Sequence, residues 1–171
     1  MRQRERMGVG TALVAVATGL VLVACTKQVP GDAQANQTDL ASYTSEVAAS
    51  SAARVAKAND AACDGLRAAN KSSVTAFNAY IDASNTRAAD TDAKANDAVT
   101  TLRNNAKDLG RKITNDVIST LATPLRSYRD NTNTLADTLE RRAPTDELNG
   151  VIDTFNAAKD TAIDVCKPYG N

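Results

Sequence analysis

The chain has 171 residues with 20 basic and 20 acidic side chains, no histidine, no tryptophan and 4% aromatic content. A neutral balance lacks the basic footprint of a nucleic-acid binder, and so few rings offer little for a stacking platform or a broad ligand pocket. Without histidine the commonest general base and metal ligand is missing and a Ser-His-Asp site is excluded, so no catalytic residues, metal site or cofactor are expected.

The N-terminus carries Arg2, Arg4 and Arg6, then an apolar run from Val9 to Ala24 broken only by small residues, then Leu22-Val23-Ala24-Cys25. The run is shorter than the ~20 apolar residues of a spanning helix and matches the core of a signal peptide. The stretch from Met1 to about Thr26 resembles a bacterial lipoprotein (type II) signal peptide with its lipobox. The competing readings are an uncleaved membrane anchor and ordinary secretion. Leu22 at the third position before the cut suits the lipobox better than a secretory site, which wants a small residue there. The resemblance implies that the Cys25 thiol receives a diacylglycerol, with acyl chains such as palmitate. Residues 1–24 are then removed and lipid holds the protein at the outer face of the cell membrane. Cleavage would remove 24 of 171 residues and leave 147, enough for one domain with its own core.

From Thr26 to about Gln37, Pro30, Gly31, Asp32 and small polar residues show no apolar period, so residues 25–37 read as a flexible tether and 38–171 as a helical domain. Apolar or small residues then recur in steps of three and four: Leu40, Tyr43, Val47, Ser51, Val55, Ala58, Ala62, Leu66, Ala69, Ser73, Phe77 and Tyr80. That spacing predicts one long helix over Asp39–Ser84, capped by Thr38 or Asp39. Its first half, to about Asn59, is rich in Ala and Ser and should be the less stable part.

A second pattern starts near Thr91 and runs Val99, Leu102, Ala106, Leu109, Ile113, Val117, Leu121, Leu125, Tyr128, Leu135, Leu139. The phase runs through Gly110 and across Pro124. A single helix over Thr91–Arg142, kinked at Pro124, is therefore expected in preference to a reversal there. Ala143-Pro144-Thr145 breaks it, Thr145 can cap the next helix, and Asp146 and Glu147 suit its positive end. The last helix covers Asp146–Cys166 and stops before Pro168 and Gly170.

The fold expected is all-α: an antiparallel bundle of three long helices, or of four shorter ones if the chain reverses at Pro124. Phe77, Leu102, Leu109 and Phe155 should be substantially buried. Cys63 and Cys166 form an even pair in an exported protein and should be joined. Closing a loop of about 100 residues is rated at roughly 4–5 kcal/mol. With three helices the last starts at the same end as the first, and the two cysteines agree in height within about one turn. With four, they meet if the first helix begins near Asp60.

Motifs that would carry chemistry are weak. Asp90-Thr91-Asp92-Ala93-Lys94-Ala95 lacks the glycine and terminal glutamate of a calcium loop. Asp137 with Glu140, and Asp146 with Glu147, read as acids on solvated faces rather than catalytic pairs. Arg126, Tyr128 and Arg129, with Arg141 and Arg142 beyond, would suit an anionic lipid or glycan, but these arginines read rather as a solvated face near Asp130, Asp137 and Glu140.

In its Ala-, Val-, Asp- and Thr-rich composition and short tether the mature part is similar to small actinobacterial envelope lipoproteins of unknown function. The function expected is a lipid-anchored structural or partner-binding module of the cell envelope, with a membrane and an envelope protein as partners and no nucleic acid. The alternative is a carrier of an apolar ligand between helices, which needs an internal pocket of several hundred Å³. A filled core with one exposed apolar stripe favours partner binding instead.

Overall fold

A computed structural model describes residues 36–170. The expected signal peptide, Cys25 and most of the tether lie outside the described residues. The described chain folds into four helices: α1 Gln37–Thr86, α2 Thr91–Lys112, α3 Ser119–Glu140 and α4 Thr145–Cys166. The domain is thus all-α, in the four-helix form rather than the three-helix one.

The break that makes the fourth helix falls at residues 113–118, ahead of Pro124. Thr114-Asn115-Asp116 supplies the turn, with Thr114 N–H donating to Lys112 O (3.0 Å) and Val117 N–H to Thr114 O (3.2 Å). Val117 is buried and Ile113 packs partly buried against the core from outside any helix. These two loop residues plug the end of the bundle and so preserve the apolar spacing that suggests a continuous helix. Pro124 is the sixth residue of α3, and the helix passes through it. At that position, just past the first turn, proline forfeits its bond to the Thr120 carbonyl and its ring crowds that carbonyl, a local cost that the packing of Leu121, Leu125 and Tyr128 offsets.

The caps also differ from expectation. Asn36 caps α1, its side-chain oxygen accepting from Thr38 N–H at 3.0 Å. Thr145 is the first residue of α4 and makes no side-chain cap. The turns after α1 and α3 share one design. Arg87 and Arg142 both sit in the left-handed region at φ 52°. Ala88 and Arg87 donate back to Ala83 and Ser84, and Ala143 and Arg142 donate back to Thr138 and Leu139. This double bond pattern satisfies the last carbonyls of each helix.

Each helix packs on the next in sequence, and α1 touches α4 only lightly. The main core holds Leu66, Leu102, Leu109, Leu125, Tyr128 and Phe155. A smaller cluster of Ala95, Ala98, Val99 and Leu139 closes the end near the α1–α2 turn. Leu102, Leu109 and Phe155 are buried as expected, whereas Phe77 is half-buried.

The core-facing line of α1 repeats every 11 residues, with Leu40, Ser51, Ala62 and Ser73 on it. That period keeps one face of a nearly straight helix at constant azimuth. Only the part from about Ala58 onward is covered by the other helices. From Asn36 to Ser50 every residue is exposed. Gln37 to about Ser50 therefore stands clear of the bundle as about 20 Å of helix, while Arg54 and Lys57 at its base border the segment from Arg111 to Asp116.

Candidate functional site

The base from which α1 emerges is heavily tied. Cys63 and Cys166 are bonded, with Cα atoms 5.5 Å apart. The explanation differs from the three-helix argument: α4 is the fourth helix, so it runs antiparallel to α1. The cysteines meet because the packed portion of α1 begins near Asn59. Arg67 donates to the Cys166 carbonyl at 3.2 Å and to that of Tyr169, and pairs with Asp64 at 2.9 Å. Asn59, buried, accepts from Ile118 N–H at 3.1 Å. At Gly65 an added Cβ would run into the Lys112 side chain, so glycine leaves room for that side chain to lie across α1.

Beyond this base the extension carries an apolar stripe. Leu40, Tyr43 and Val47 are 52%, 65% and 50% exposed. They are the outward continuation of the face that buries Ala62, Leu66 and Ala69 within the bundle. Charges flank the stripe, with Asp39 and Glu46 toward the free end and Arg54 and Lys57 toward the bundle. Among the described residues Asp39, Glu46 and Lys57 enter no ion pair, and Arg54 reaches Asp116 only at 3.8 Å.

The interior is well filled. The loose α1–α4 contact leaves a crevice of about 150 Å³ between Phe77, Leu135, Ile152 and Phe155, rimmed by Asn156 and Lys159. A wider hollow of about 580 Å³ lies open on the α1–α2 face among Lys71, Thr75, Lys94 and Asp97. Beside the crevice lies a polar seam. Asn105 donates to Ser73 Oγ at 2.9 Å and to Ala69 O at 3.3 Å. Tyr128 is wholly buried, its ring 5.5 Å from that of Phe155. Burial pushes its phenol above the ordinary range, with Ser73 and Thr132 hydroxyls pulling it partly back. Neither makes a hydrogen bond of good geometry to its hydroxyl, which has no partner.

The weak motifs resolve into surface pairs. Asp92 pairs with Arg142 at 3.3 Å, and among the described residues no cluster suits a metal ion. Asp137 and Glu140 converge on Arg103 at 2.8 and 2.6 Å. Glu147 bonds Arg141, which lowers the pKa of its carboxyl and raises that of the guanidinium. Arg129 pairs with Asp130 at 2.7 Å. Tyr128 is in the core, so no Arg-Tyr-Arg surface cluster forms.

The protruding helix is the feature that sequence reasoning missed, since the first half of α1 reads as a weak part of the bundle. The signal that could have found it is length: α1 has 50 residues against 22 in each of the others.

These features define a disulfide-tied, antiparallel four-helix bundle whose first helix overshoots its neighbours. Residues 42–167 match the model of the Rv2240c four-helix bundle domain, and the chain belongs to that family. No curated protein and no solved structure matches the chain.

Proposed function

We propose that this chain is an exported cell-envelope protein, lipid-anchored through Cys25, that works as a structural or partner-binding module. The observation that carries the binding part is the exposure of Leu40, Tyr43 and Val47 together on one face of a helix standing clear of the bundle. Apolar side chains gathered on one exposed face mark a contact surface. The lipobox Leu22-Val23-Ala24-Cys25 supports the anchor. A carrier role finds less support: the crevice between helices holds about 150 Å³, small beside a ligand pocket, and the 580 Å³ hollow is an open depression on the α1–α2 surface rather than an internal pocket. No enzymatic role, metal or cofactor is proposed.

The anchor is tested by fractionation and intact mass. Wild-type chain extracted from membranes should begin at Cys25 and carry added acyl mass. Cys25→Ser should leave the detergent phase and keep or misprocess its leader. An unmodified N-terminus at another residue contradicts lipidation.

A further inference from the structure

We infer that the Leu40–Tyr43–Val47 stripe pairs with the same stripe of a second copy of this chain, in antiparallel orientation. This rests on reading the stripe as a contact surface and names its occupant.

Sterics fix the orientation. From Ala58 onward the same face of α1 is covered by its own bundle, with Ala62, Leu66, Ala69 and Ser73 buried along it. Two parallel copies joined along the stripe would drive their bundles into one another. Antiparallel copies place the bundles at opposite ends of the paired stretch.

The register follows from where the face closes. Asn59, bonded to the Ile118 backbone, seals it at that height, so a second helix must stop short of there. The longest overlap allowed sets Val47 beside Val47 of the second copy and Tyr43 beside Ser51. Leu40 then lies on the stem of Arg54 and on Val55. The tyrosine ring thus meets a small residue, and all three exposed apolar side chains are covered.

The charges agree with this pairing. Asp39 and Lys57 are 18 residues apart, which is five full turns, so they share one flank of the helix. A two-fold axis across the pair brings like flanks together, so Asp39 of each copy meets Lys57 of the other. Glu46 lies on that flank near the axis and faces its own counterpart. Its repulsion keeps the association weak.

Other occupants fit less well. Among residues 26–36 only Val29 is large and apolar, too little to cover the stripe. A membrane surface would press its headgroups against Asp39 and Glu46. No described helix is long and apolar enough to cross a membrane. The overlap spans about 30 Å of helix and falls below the ~1,600 Å² of a standard stable interface, so pairing depends on the high local concentration that a shared anchor supplies.

The test is oxidative crosslinking of the full chain in intact cells, read on non-reducing gels. Val47→Cys should give a band at twice the monomer mass. Leu40→Cys and Ala49→Cys should not, the first lying far from its counterpart and the second on the opposite face. In the Val47→Cys background Asp39→Lys should abolish the dimer and Lys57→Asp added to it should restore it, while Glu46→Gln should strengthen it. Crosslinking of Leu40→Cys in place of Val47→Cys would overturn the antiparallel register. A Val47→Cys chain that stays monomeric overturns self-pairing. A Val47→Cys adduct with a different protein also overturns it, while leaving the stripe as a contact surface.

Discussion

Cys63, in the middle of α1, is bonded to Cys166, the last residue of α4, across the lightly packed α1–α4 pair. The bond and the Arg67 contacts to the Cys166 and Tyr169 carbonyls are what hold α4 to α1 at this end. The sequence separation is 103 residues. Closing a loop of that size stabilises by roughly 4–5 kcal/mol in the chain-entropy model. Replacing both cysteines by alanine should lower the denaturation free energy by about that amount. Equal denaturation midpoints with and without reductant for the wild type would contradict it.

Truncations should separate core from extension. Leu109→Ala and Phe155→Ala remove buried side chains and should each cost about 2–5 kcal/mol. Phe77→Ala should cost less, because its ring is only half-buried. Val47→Ala, on the extension, should change stability by less than about 0.5 kcal/mol. Chemical denaturation of the four variants checks the order.

The two arginines in the left-handed region should respond differently to glycine. A non-glycine residue there costs roughly 1–2 kcal/mol, partly offset by the greater unfolded freedom of glycine. Arg87→Gly should therefore stabilise by about 0.5–1 kcal/mol. Arg142→Gly gives up bonds to Asn96 Oδ1 at 2.9 Å and Leu139 O at 2.8 Å. It should gain less or lose. A larger gain at Arg142 than at Arg87 would show that those bonds contribute nothing.

Tyr128→Phe should be neutral or stabilising at pH 7, since it removes a buried hydroxyl that has no partner. Its phenol pKa is raised by burial. The stability this contributes is fully present below the pKa of the unfolded phenol, about 10. It is lost as pH rises from there through the folded pKa. Alkaline unfolding monitored by circular dichroism should therefore be shallower in Tyr128→Phe. Identical alkaline profiles would mean that the phenol is solvated.

Much of the bundle was legible from periodicity, because Leu102, Leu109, Leu121, Leu125, Leu135 and Leu139 keep helical phase on one buried face. The α2–α3 reversal was not, since Ile113 and Val117 fill the bundle end from a loop at spacings a helix would also give. Pro124 is a poor guide to the break: the helix absorbs it one and a half turns in, while Thr114-Asn115-Asp116 supplies the turn without proline or glycine. The disulfide was legible from cysteine arithmetic, its geometry only once the free length of α1 was known. The exposed stripe of Leu40, Tyr43 and Val47 is visible as apolar spacing, but spacing alone does not say whether a face is covered.

Amide hydrogen exchange over residues 37–57, in the full chain in its native membranes, tests the contact role of the extension most directly. A lone helix of about 20 residues is marginal in water and would exchange fast. If the stripe is occupied, wild type should show slow exchange across this stretch. Leu40→Asp with Val47→Asp should abolish that protection while Ala62–Cys166 remain protected. Equally fast exchange over 37–57 in wild type and variant would contradict a docked stripe.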